Sequence, residues 1–243
     1  MYDKEMFERT VLSPFLSHYD SSIAYKEMED GILKNVRGIV IEPYQVHTLN
    51  ELVAKYPDTK IRRGITLGYP FGGQTTKMKV EIAKFALDND IEEIDIGINV
   101  GALLSDDIDT VKRDLEPVIN AVGHKINIIP ISWVVKLPLE TIDKICEAYI
   151  ELGLRTLKTS AGLYFGEMKV DHIEYLYKHY GDKLEIEVAG RTRTRQKCED
   201  MLDAGAQYFH LSQWRRICEG KQDYIYDYFT KVGGYGEYND RFC

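Results

Sequence analysis

One lysine stands inside a short run that has the pattern of a buried strand, Arg155-Thr156-Leu157-Lys158-Thr159-Ser160-Ala161-Gly162. Because helical patterns flank this run on both sides, we expect both faces of the strand to be covered, and burial disfavours the charged form of a lysine. A neutral amine is a nucleophile that forms a Schiff base with a carbonyl compound. A lysine at a strand end whose ammonium reaches solvent is the more common alternative. The polar residues of the other strands favour the interpretation of Lys158 as a nucleophile.

The composition is that of an ordinary globular protein. The chain has 243 residues, of which 44% are hydrophobic, and a net charge of −8, so a nucleic-acid partner is not expected. No run approaches the roughly 18 apolar residues that cross a membrane, and the charged N-terminus lacks the apolar core of a signal peptide. Four widely spaced cysteines indicate reduced thiols in a cytoplasmic protein. We therefore predict one domain over residues 1–243, in the cytoplasm, with no membrane partner.

Short β-branched runs alternate with longer amphipathic runs along the whole chain. The predicted strands are Glu8–Leu12, Val36–Ile41, Ile61–Leu67, Glu93–Asn99, Lys125–Trp133, Arg155–Thr159, Leu184–Ala189 and Gln207–Leu211. The predicted helices are Ser21–Lys34, Tyr44–Lys55, Thr76–Asn89, Asp106–Val122, Leu139–Leu152, Glu167–Tyr180, Arg193–Ala204 and Gln213–Thr230. Eight such pairs in a chain of this length predict an α/β fold, the (β/α)8 TIM barrel. A doubly wound open sheet is the alternative, but no G-x-G-x-x-G follows the first strand.

A barrel places its chemistry at the C-terminal ends of the strands. The polar residues predicted there are Glu8, Arg9, Glu42, Thr66, Tyr69, Asp95, Asn99, Ser132, Trp133, Lys136, Lys158, Thr159, Ser160, Glu187, Arg191, His210 and Ser212. Asp95 stands between aliphatic neighbours, which indicates that it points into the barrel. We interpret His210 as a hydrogen-bonded histidine of the core. The other histidines have no spacing that suggests a metal, so no metal site is predicted.

The segment around Lys158 resembles the Schiff-base lysine motif K-T-S-T-G of the deoxyribose-phosphate aldolase family. Four further segments are similar to that family in the same order along the chain: Gly38–Pro43, Gly64–Gly73, the E-I-D motif within Glu92–Asn99, and Ala189–Thr194 after strand 7. The resemblance implies a class I aldolase, which is a lyase that works through a Schiff base without a metal or cofactor. It also implies a role in carbohydrate metabolism.

The resemblance assigns roles to individual residues. Lys158 would form the Schiff base, and Asp95 would belong to the proton relay. The residues expected to bind the phosphate or another anionic group of the substrate are Ser160, Gly162, Gly190, Arg191 and Ser212. The substrate would be a small, anionic and sugar-like carbonyl compound. We also predict a homo-oligomer, and a mobile tail over residues 231–243 that is rich in tyrosine and glycine.

The sequence departs from the family at several of these positions. Glu187 stands where the family has a second, activating lysine, and a carboxylate there favours the ammonium form of Lys158. The strand-1 aspartate of the family is matched to Glu8 and its strand-5 lysine to Pro130. Arg191 replaces the second glycine of the phosphate turn. The small residues of strand 8 give way to a segment that begins with His210.

Three interpretations follow from the sequence. The first is a divergent Schiff-base aldolase for another substrate, in which Glu187 acts as an acid or base, or in which Lys136 or Arg191 supplies the missing positive charge. The second is an authentic deoxyribose-phosphate aldolase with compensating changes. The third is a catalytically silent barrel that binds a metabolite or a protein partner. The first is preferred, with Lys158, Asp95 and Glu187 as its catalytic residues.

Overall fold

Eight parallel strands form a single sheet in the described part of the chain. The computed structural model describes residues 2–14, 16, 21–161, 167–192 and 194–220. The strands are β1 (Leu12–Pro14), β2 (Gly38–Ile41), β3 (Arg62–Leu67), β4 (Glu93–Gly97), β5 (Asn127–Ile131), β6 (Thr156–Lys158), β7 (Glu185–Val188) and β8 (Tyr208–Leu211). Their order in the sheet is β1-β8-β7-β6-β5-β4-β3-β2.

The two edge strands of this sheet lie side by side. The backbone N–H of Leu16 donates to the carbonyl of Val40 at 3.0 Å, and that of Arg37 donates to the carbonyl of Leu12 at 3.1 Å. These bonds bring β1 and β2 together and close the sheet on itself. The predicted (β/α)8 barrel is confirmed.

Helices occupy the connections between the strands. Within the described residues they are α1 (Lys4–Met6), α2 (Ser21–Leu33), α3 (Val46–Lys55), α4 (Thr76–Asp88), α5 (Val100–Leu104), α6 (Ile108–Val122), α7 (Leu139–Glu151), α8 (Val170–Tyr180), α9 (Arg195–Asp203) and α10 (Trp214–Cys218). None of these helices is long and apolar enough to cross a membrane. The predicted tail over residues 231–243 and most of the predicted last helix lie outside the described residues.

Local sequence explains where these helices begin and which face they bury. Thr75 caps α4 by accepting the backbone N–H of Met78, and Asp107 caps α6 by accepting that of Thr110. A cap of this kind satisfies one of the free N–H groups at a helix start. The buried face of α6 repeats at intervals of three and four residues, through Val111, Leu115, Val118 and Val122. That spacing is the one that turns a single helical face toward a sheet.

The strand predicted over Glu8–Leu12 is wrong. The chain forms a π-helical turn over Phe7–Val11, and β1 begins only at Leu12. The sequence carries charges of opposite sign four residues apart, with an ion pair between Lys4 and Glu8 at 3.8 Å. Pairs at this spacing stabilise a helix and not a strand. The β-branched side chains of this run therefore give a misleading signal.

The floor of the barrel is polar and charged. The guanidinium of Arg37 donates two hydrogen bonds to Glu93, at 2.6 and 3.0 Å, and lies over the ring of Tyr208 at 3.9 Å. Arg62 reaches the same carboxylate at 3.2 Å. Burial opposes the charge of Arg37, but the neighbouring carboxylate of Glu93 outweighs it and raises the pKa of Arg37. The cation therefore stays charged at the base of the barrel interior.

The C-terminal end of β4 touches the turn after β3 backbone against backbone. Gly72 donates its N–H to the carbonyl of Gly68 at 2.8 Å, which closes this turn. A Cβ at Gly97 would lie 2.3 Å from the Gly68 oxygen and 2.9 Å from the Gly72 nitrogen. Only a residue without a side chain fits there. This contact fixes the end of β4 two residues beyond Asp95.

Replacing Gly97 by alanine should lower the free energy of unfolding, because the added methyl group must push two backbone segments apart. We expect a loss of about 1–3 kcal/mol, the usual cost of overpacking. Gly73→Ala is the matched control, since a Cβ at that position meets no described atom within 4 Å. Urea denaturation measures both variants. Equal midpoints for the two would show that the close approach at Gly97 is not rigid.

Candidate active site

Four buried polar side chains from four strands meet inside the C-terminal half of the barrel. They are Asp95 on β4, Lys158 at the end of β6, Glu187 on β7 and His210 on β8, with exposures of 1%, 3%, 0% and 6%. The register between β6 and β7 sets Lys158 directly opposite Glu187. The structure therefore brings the side chains of Lys158, Asp95 and Glu187 together at one mouth of the barrel, as predicted.

The amine of Lys158 lies at the centre of this group. Its Nζ donates to Asp95 Oδ2 at 2.5 Å, lies 2.5 Å from His210 Nδ1 and lies 3.5 Å from Glu187 Oε1. The imidazole also contacts both acids, with Nδ1 3.0 Å from Asp95 Oδ2 and Nε2 3.3 Å from Glu187 Oε1. One amine, two carboxyl groups and one imidazole thus form a continuous cluster.

The two acids of the cluster have opposite electrostatic character. Burial alone would raise the pKa of Asp95, but the charges of His210 and Lys158 and their hydrogen bonds outweigh it and hold that pKa well below its usual range. Burial raises the pKa of Glu187; the charge of His210 opposes this shift, and the charge of Asp95 adds to it. The cluster therefore shifts Asp95 toward its ionised form and Glu187 toward its neutral form.

Glu187 is the member of the cluster with the most unused hydrogen-bonding capacity among the described residues, since Asp95 and His210 each have only one unpartnered atom. Both of its carboxyl oxygens lack a hydrogen-bond partner among the described residues, and its 3.3 Å contact with His210 is not aligned as a hydrogen bond. A buried polar group without a partner costs about 1–3 kcal/mol. Such a group facing a reactive amine is suited to accept or donate a proton when a substrate oxygen arrives.

His210 was not assigned to the site from the sequence. It was interpreted as a core histidine, and it is indeed buried and hydrogen-bonded, but its partner is the Lys158 amine. Strand alternation was the signal that could have placed it. On β8, His210 shares an inward face with Tyr208, whose ring lies under the Arg37 guanidinium. A histidine on that face near the strand end must point at the centre of the barrel.

The same cluster has the spacing of a metal site. One ligand atom from each of Asp95, Glu187 and His210 falls within 4.8 Å of the other two. However, the Lys158 amine contacts the same three side chains and lies between them. A divalent cation could take these ligands only if the lysine side chain moved away. We therefore interpret Asp95, Glu187 and His210 as partners of Lys158 and not as metal ligands.

Thr159 and Tyr69 hold the backbone around Lys158 in place. The Thr159 hydroxyl donates to the carbonyl of Ala189 at 3.0 Å and accepts its N–H at 3.1 Å, which ties the ends of β6 and β7 together. The Tyr69 hydroxyl donates to the carbonyl of Ala161 at 2.8 Å. Beside them, the rings of Phe71 and Trp133 stack at 5.6 Å. These contacts fix one wall of the barrel mouth.

Two of the predicted anion-binding residues, Ser160 and Gly190, lie in contact, and Arg191 follows Gly190 directly. Ser160 packs against Gly190, since a Cβ on that glycine would fall 3.0 Å from the serine Cβ. Gly190 and Arg191 both have positive φ, 112° and 56°. Arginine rarely adopts this conformation, and it costs of order 1–3 kcal/mol outside glycine. Ser212 follows β8 directly and is half-buried, and Gly162 lies outside the described residues.

Two acids predicted at strand ends have different surroundings. Glu8 is not at the barrel mouth, because it belongs to the helical turn before β1, where its carboxylate lies 3.9 Å from Lys34. It therefore does not replace the strand-1 aspartate of the family. Glu42 does follow β2 directly; burial raises its pKa, and the Thr66 hydroxyl opposes that shift.

The fold and the site define a parallel (β/α)8 barrel with a buried lysine and acid–base groups in its mouth. Sequence relatives, but no family model, identify the family. No protein-family model matches the chain. The deoxyribose-phosphate aldolase of Thermococcus gammatolerans is 31% identical over 220 residues, which cover 89% of this chain and 95% of that protein.

Two solved structures share the fold. The tetrameric deoxyribose phosphate aldolase of Aeropyrum pernix has a TM-score of 0.79 at 16% identity, covering 89% of this chain and 91% of that chain. An aldolase designated QR15 has a TM-score of 0.75 at 21% identity, covering 96% and 99%. From the sequence relationship, this chain belongs to the deoxyribose-phosphate aldolase family. Membership confirms the prediction of an aldolase, which is a lyase, over a silent barrel.

We expect Glu187→Gln to be more stable than wild type at neutral pH, and this gain in stability should disappear at acid pH. An unfolded chain ionises glutamate near pH 4.3, about its ordinary value. The folded protein, which raises the pKa of Glu187, resists that ionisation. The stability that this group contributes is full below about pH 4 and falls as the pH rises through the folded value.

We therefore expect the Tm of Glu187→Gln to exceed that of wild type by at least about 2–4 °C near pH 7, the shift from roughly 1 kcal/mol in a chain of this size. The difference should vanish near pH 4. Calorimetry at both pH values measures it. Glu185→Gln, an exposed position on the same strand, is the control. A difference of the same size at both pH values would count against the buried carboxyl group as its source.

Proposed function

We propose that this protein is a class I aldolase of carbohydrate metabolism in which Lys158 forms a Schiff base with a small, anionic and sugar-like carbonyl compound. One observation carries the proposal: the Lys158 amine is buried at a barrel strand end, within 2.5 Å of both the Asp95 carboxylate and the His210 imidazole. A lysine that only stabilises the fold needs one carboxylate partner. Lys158 has a second acid and an imidazole beside it as well. The curated relatives are named as deoxyribose-phosphate aldolases.

The roles of the side chains follow from their positions. The amine of Lys158 adds to the carbonyl carbon and gives a carbinolamine, which loses water to form the imine. Asp95, ionised and 2.5 Å from Nζ, moves a proton between nitrogen and oxygen. Glu187 in its neutral form donates a proton to the departing hydroxyl group. The protonated imine then draws electrons from the adjacent carbon–carbon bond, which breaks or, in the reverse direction, forms.

The substrate class rests on the turn after β7 and the end of β6. Ser160 and Gly190 are in contact, and Arg191 follows in a left-handed conformation. A guanidinium can donate two parallel hydrogen bonds to a phosphate or a carboxylate, which gives a reason for an arginine in this strained position. The family resemblance adds Ser212 to the proposed anion site, and also Gly162, which lies outside the described residues. Glu187, where the family has a lysine, supports a substrate other than deoxyribose 5-phosphate.

We also propose that the protein works in the cytoplasm as a homo-oligomer. The Aeropyrum pernix relative is tetrameric. Several large apolar side chains stand exposed on the helices, among them Leu33 at 63% and Leu139 at 53%. Burying such side chains between copies is a common way to remove them from water. As proposed, the reaction needs no cofactor beyond the chain itself.

Borohydride trapping tests the Schiff base directly. Acetaldehyde, glyceraldehyde, dihydroxyacetone and the phosphates of the last two are each incubated with the protein and reduced. We expect one substrate-sized mass increase on the peptide that contains Lys158, and more adduct from phosphorylated compounds. Lys158→Arg keeps the charge but cannot form an imine, so it should give no adduct and lose turnover by at least about 10³-fold. Prior treatment with EDTA should change nothing. Absence of adduct from every compound would rule out the mechanism.

Arg191→Gly tests the anion site without disturbing the backbone, because glycine adopts a φ of 56° freely. We expect KM for a phosphorylated substrate to rise about 10- to 100-fold, as expected from losing a charged hydrogen bond, while KM for the unphosphorylated compound stays the same. Arg155→Ala is the control, since Arg155 precedes β6 at the opposite end of the barrel. Equal effects on both compounds would show that Arg191 does not contact the anion.

A further inference from the structure

The imidazole of His210 has no role in the reaction proposed above, although it touches the reacting atom. Its Nδ1 lies 2.5 Å from Lys158 Nζ. The side chain is buried on the inward face of β8, next to β7, which carries Glu187, and β1, where Ser13 is its register partner. The sequence resemblance implies small residues at this part of strand 8 in the family. A bulky ring that fills their space and contacts the nucleophile calls for an explanation.

The contact between His210 and Lys158 requires one proton. Two nitrogens 2.5 Å apart repel if both carry a hydrogen on the line between them, and they leave two lone pairs facing each other if neither does. The stable arrangements are an ammonium that donates to a neutral imidazole and a neutral amine that accepts from an imidazolium. The two differ only in the position of a single proton. The geometry therefore allows that proton to move from Nζ to Nδ1.

Each nitrogen of the ring lies beside a carboxyl group of the cluster. The Asp95 carboxylate is 3.0 Å from Nδ1, and a Glu187 oxygen is 3.3 Å from Nε2. Both ring nitrogens thus have a carboxyl oxygen beside them, so each nitrogen has a group within reach with which it can exchange a proton. Arg37 below the cluster acts on Glu187 through its charge and does not contact the ring within the described residues.

We propose that His210 is the catalytic residue that takes the proton from the Lys158 ammonium and so produces the free amine that attacks the carbonyl carbon. This inference rests on the proposed function of Lys158. The family's second lysine acts as a cation beside the nucleophile, whereas here that position holds Glu187. A proton acceptor in direct contact with the amine replaces a neighbouring positive charge.

The protons balance over the formation of the imine. His210 Nδ1 takes one proton from the ammonium, and the amine adds to the carbonyl, giving an alkoxide and a positively charged nitrogen. Asp95 carries one proton from that nitrogen to the alkoxide. Glu187 donates its proton to the hydroxyl group, which leaves as water while the C=N bond forms. The imidazolium then returns its proton from Nε2 to Glu187. The net change converts an ammonium and a carbonyl compound into a protonated imine and water.

Timed borohydride quenching with acetaldehyde measures the rate at which the imine on Lys158 forms. In His210→Asn, an amide occupies the place of Nδ1 but cannot take up a proton. We expect the rate at neutral pH to fall by about 10²-fold, the low end of general acid–base contributions. His172→Asn is the control, because His172 is a half-buried histidine on α8 outside the cluster. It should trap at the wild-type rate.

A second variant separates catalysis from structure. His210→Gly restores a small residue at this position and leaves a space the size of the ring. Added imidazole should then raise the trapping rate in proportion to its concentration, whereas it should not affect wild type or Lys158→Arg. A merely structural histidine would give no such rescue. Circular dichroism and thermal melting establish that each variant is folded. If His210→Asn does not fold, the rescue experiment with His210→Gly tests the proposal by itself.

The outcomes distinguish the two proposals. If wild type forms no adduct with any carbonyl compound, the proposed function itself fails. If wild type forms the adduct but a folded His210→Asn traps at the same rate, or if imidazole does not rescue His210→Gly, the role of His210 is overturned and the Schiff base stands. A slow His210→Asn together with imidazole rescue supports both.

Discussion

The contact between the Lys158 amine and the Asp95 carboxylate, 2.5 Å long and wholly buried, is the interaction on which the site depends. Removing two charges from water costs several kcal/mol per ion, and their mutual attraction offsets this only when the geometry is good. The barrel supplies that geometry because it holds β4 and β6 rigidly on either side of β5. Without a partner, a lysine in that interior would lose either its charge or its defined position. With Asp95 it becomes an amine at a defined place, which Thr159 then holds beside β7.

The rest of the barrel interior extends this pairing of charges downward. Glu93, two residues before Asp95 on the same strand, binds Arg37 through two hydrogen bonds and Arg62 through a third contact. The lumen therefore contains stacked ion pairs in place of the apolar layers common in such barrels. Replacing a buried pair by apolar groups is often neutral for stability, so these pairs do not by themselves explain a stable fold. Their effect on the site is electrostatic, since Arg37 acts on Glu187 from below.

The departures from the family form one coherent change. By the sequence resemblance, Glu187 stands where the family has a lysine and His210 where it has a small residue, and in our proposal both groups exchange protons. Burial raises the pKa of the Glu187 carboxyl group, and the ring has a carboxyl oxygen beside each nitrogen. Either replacement alone would weaken the nucleophile or crowd the site. Together they exchange activation by a fixed charge for activation by proton transfer, in the same barrel and around the same lysine.

The sequence by itself determined the barrel, seven of its eight strands, and the convergence of Lys158, Asp95 and Glu187. Alternation and length are local signals, and the carboxyl ends of parallel strands share one mouth. It misplaced the first strand, because the ion pair between Lys4 and Glu8 and other helix-stabilising contacts outweigh β-branched residues. Only the tertiary structure decided that His210 touches Lys158, since strand curvature and register set which inward side chains meet. It also decided the opposite pKa shifts of the two acids, because burial and neighbouring charge are properties of the folded chain.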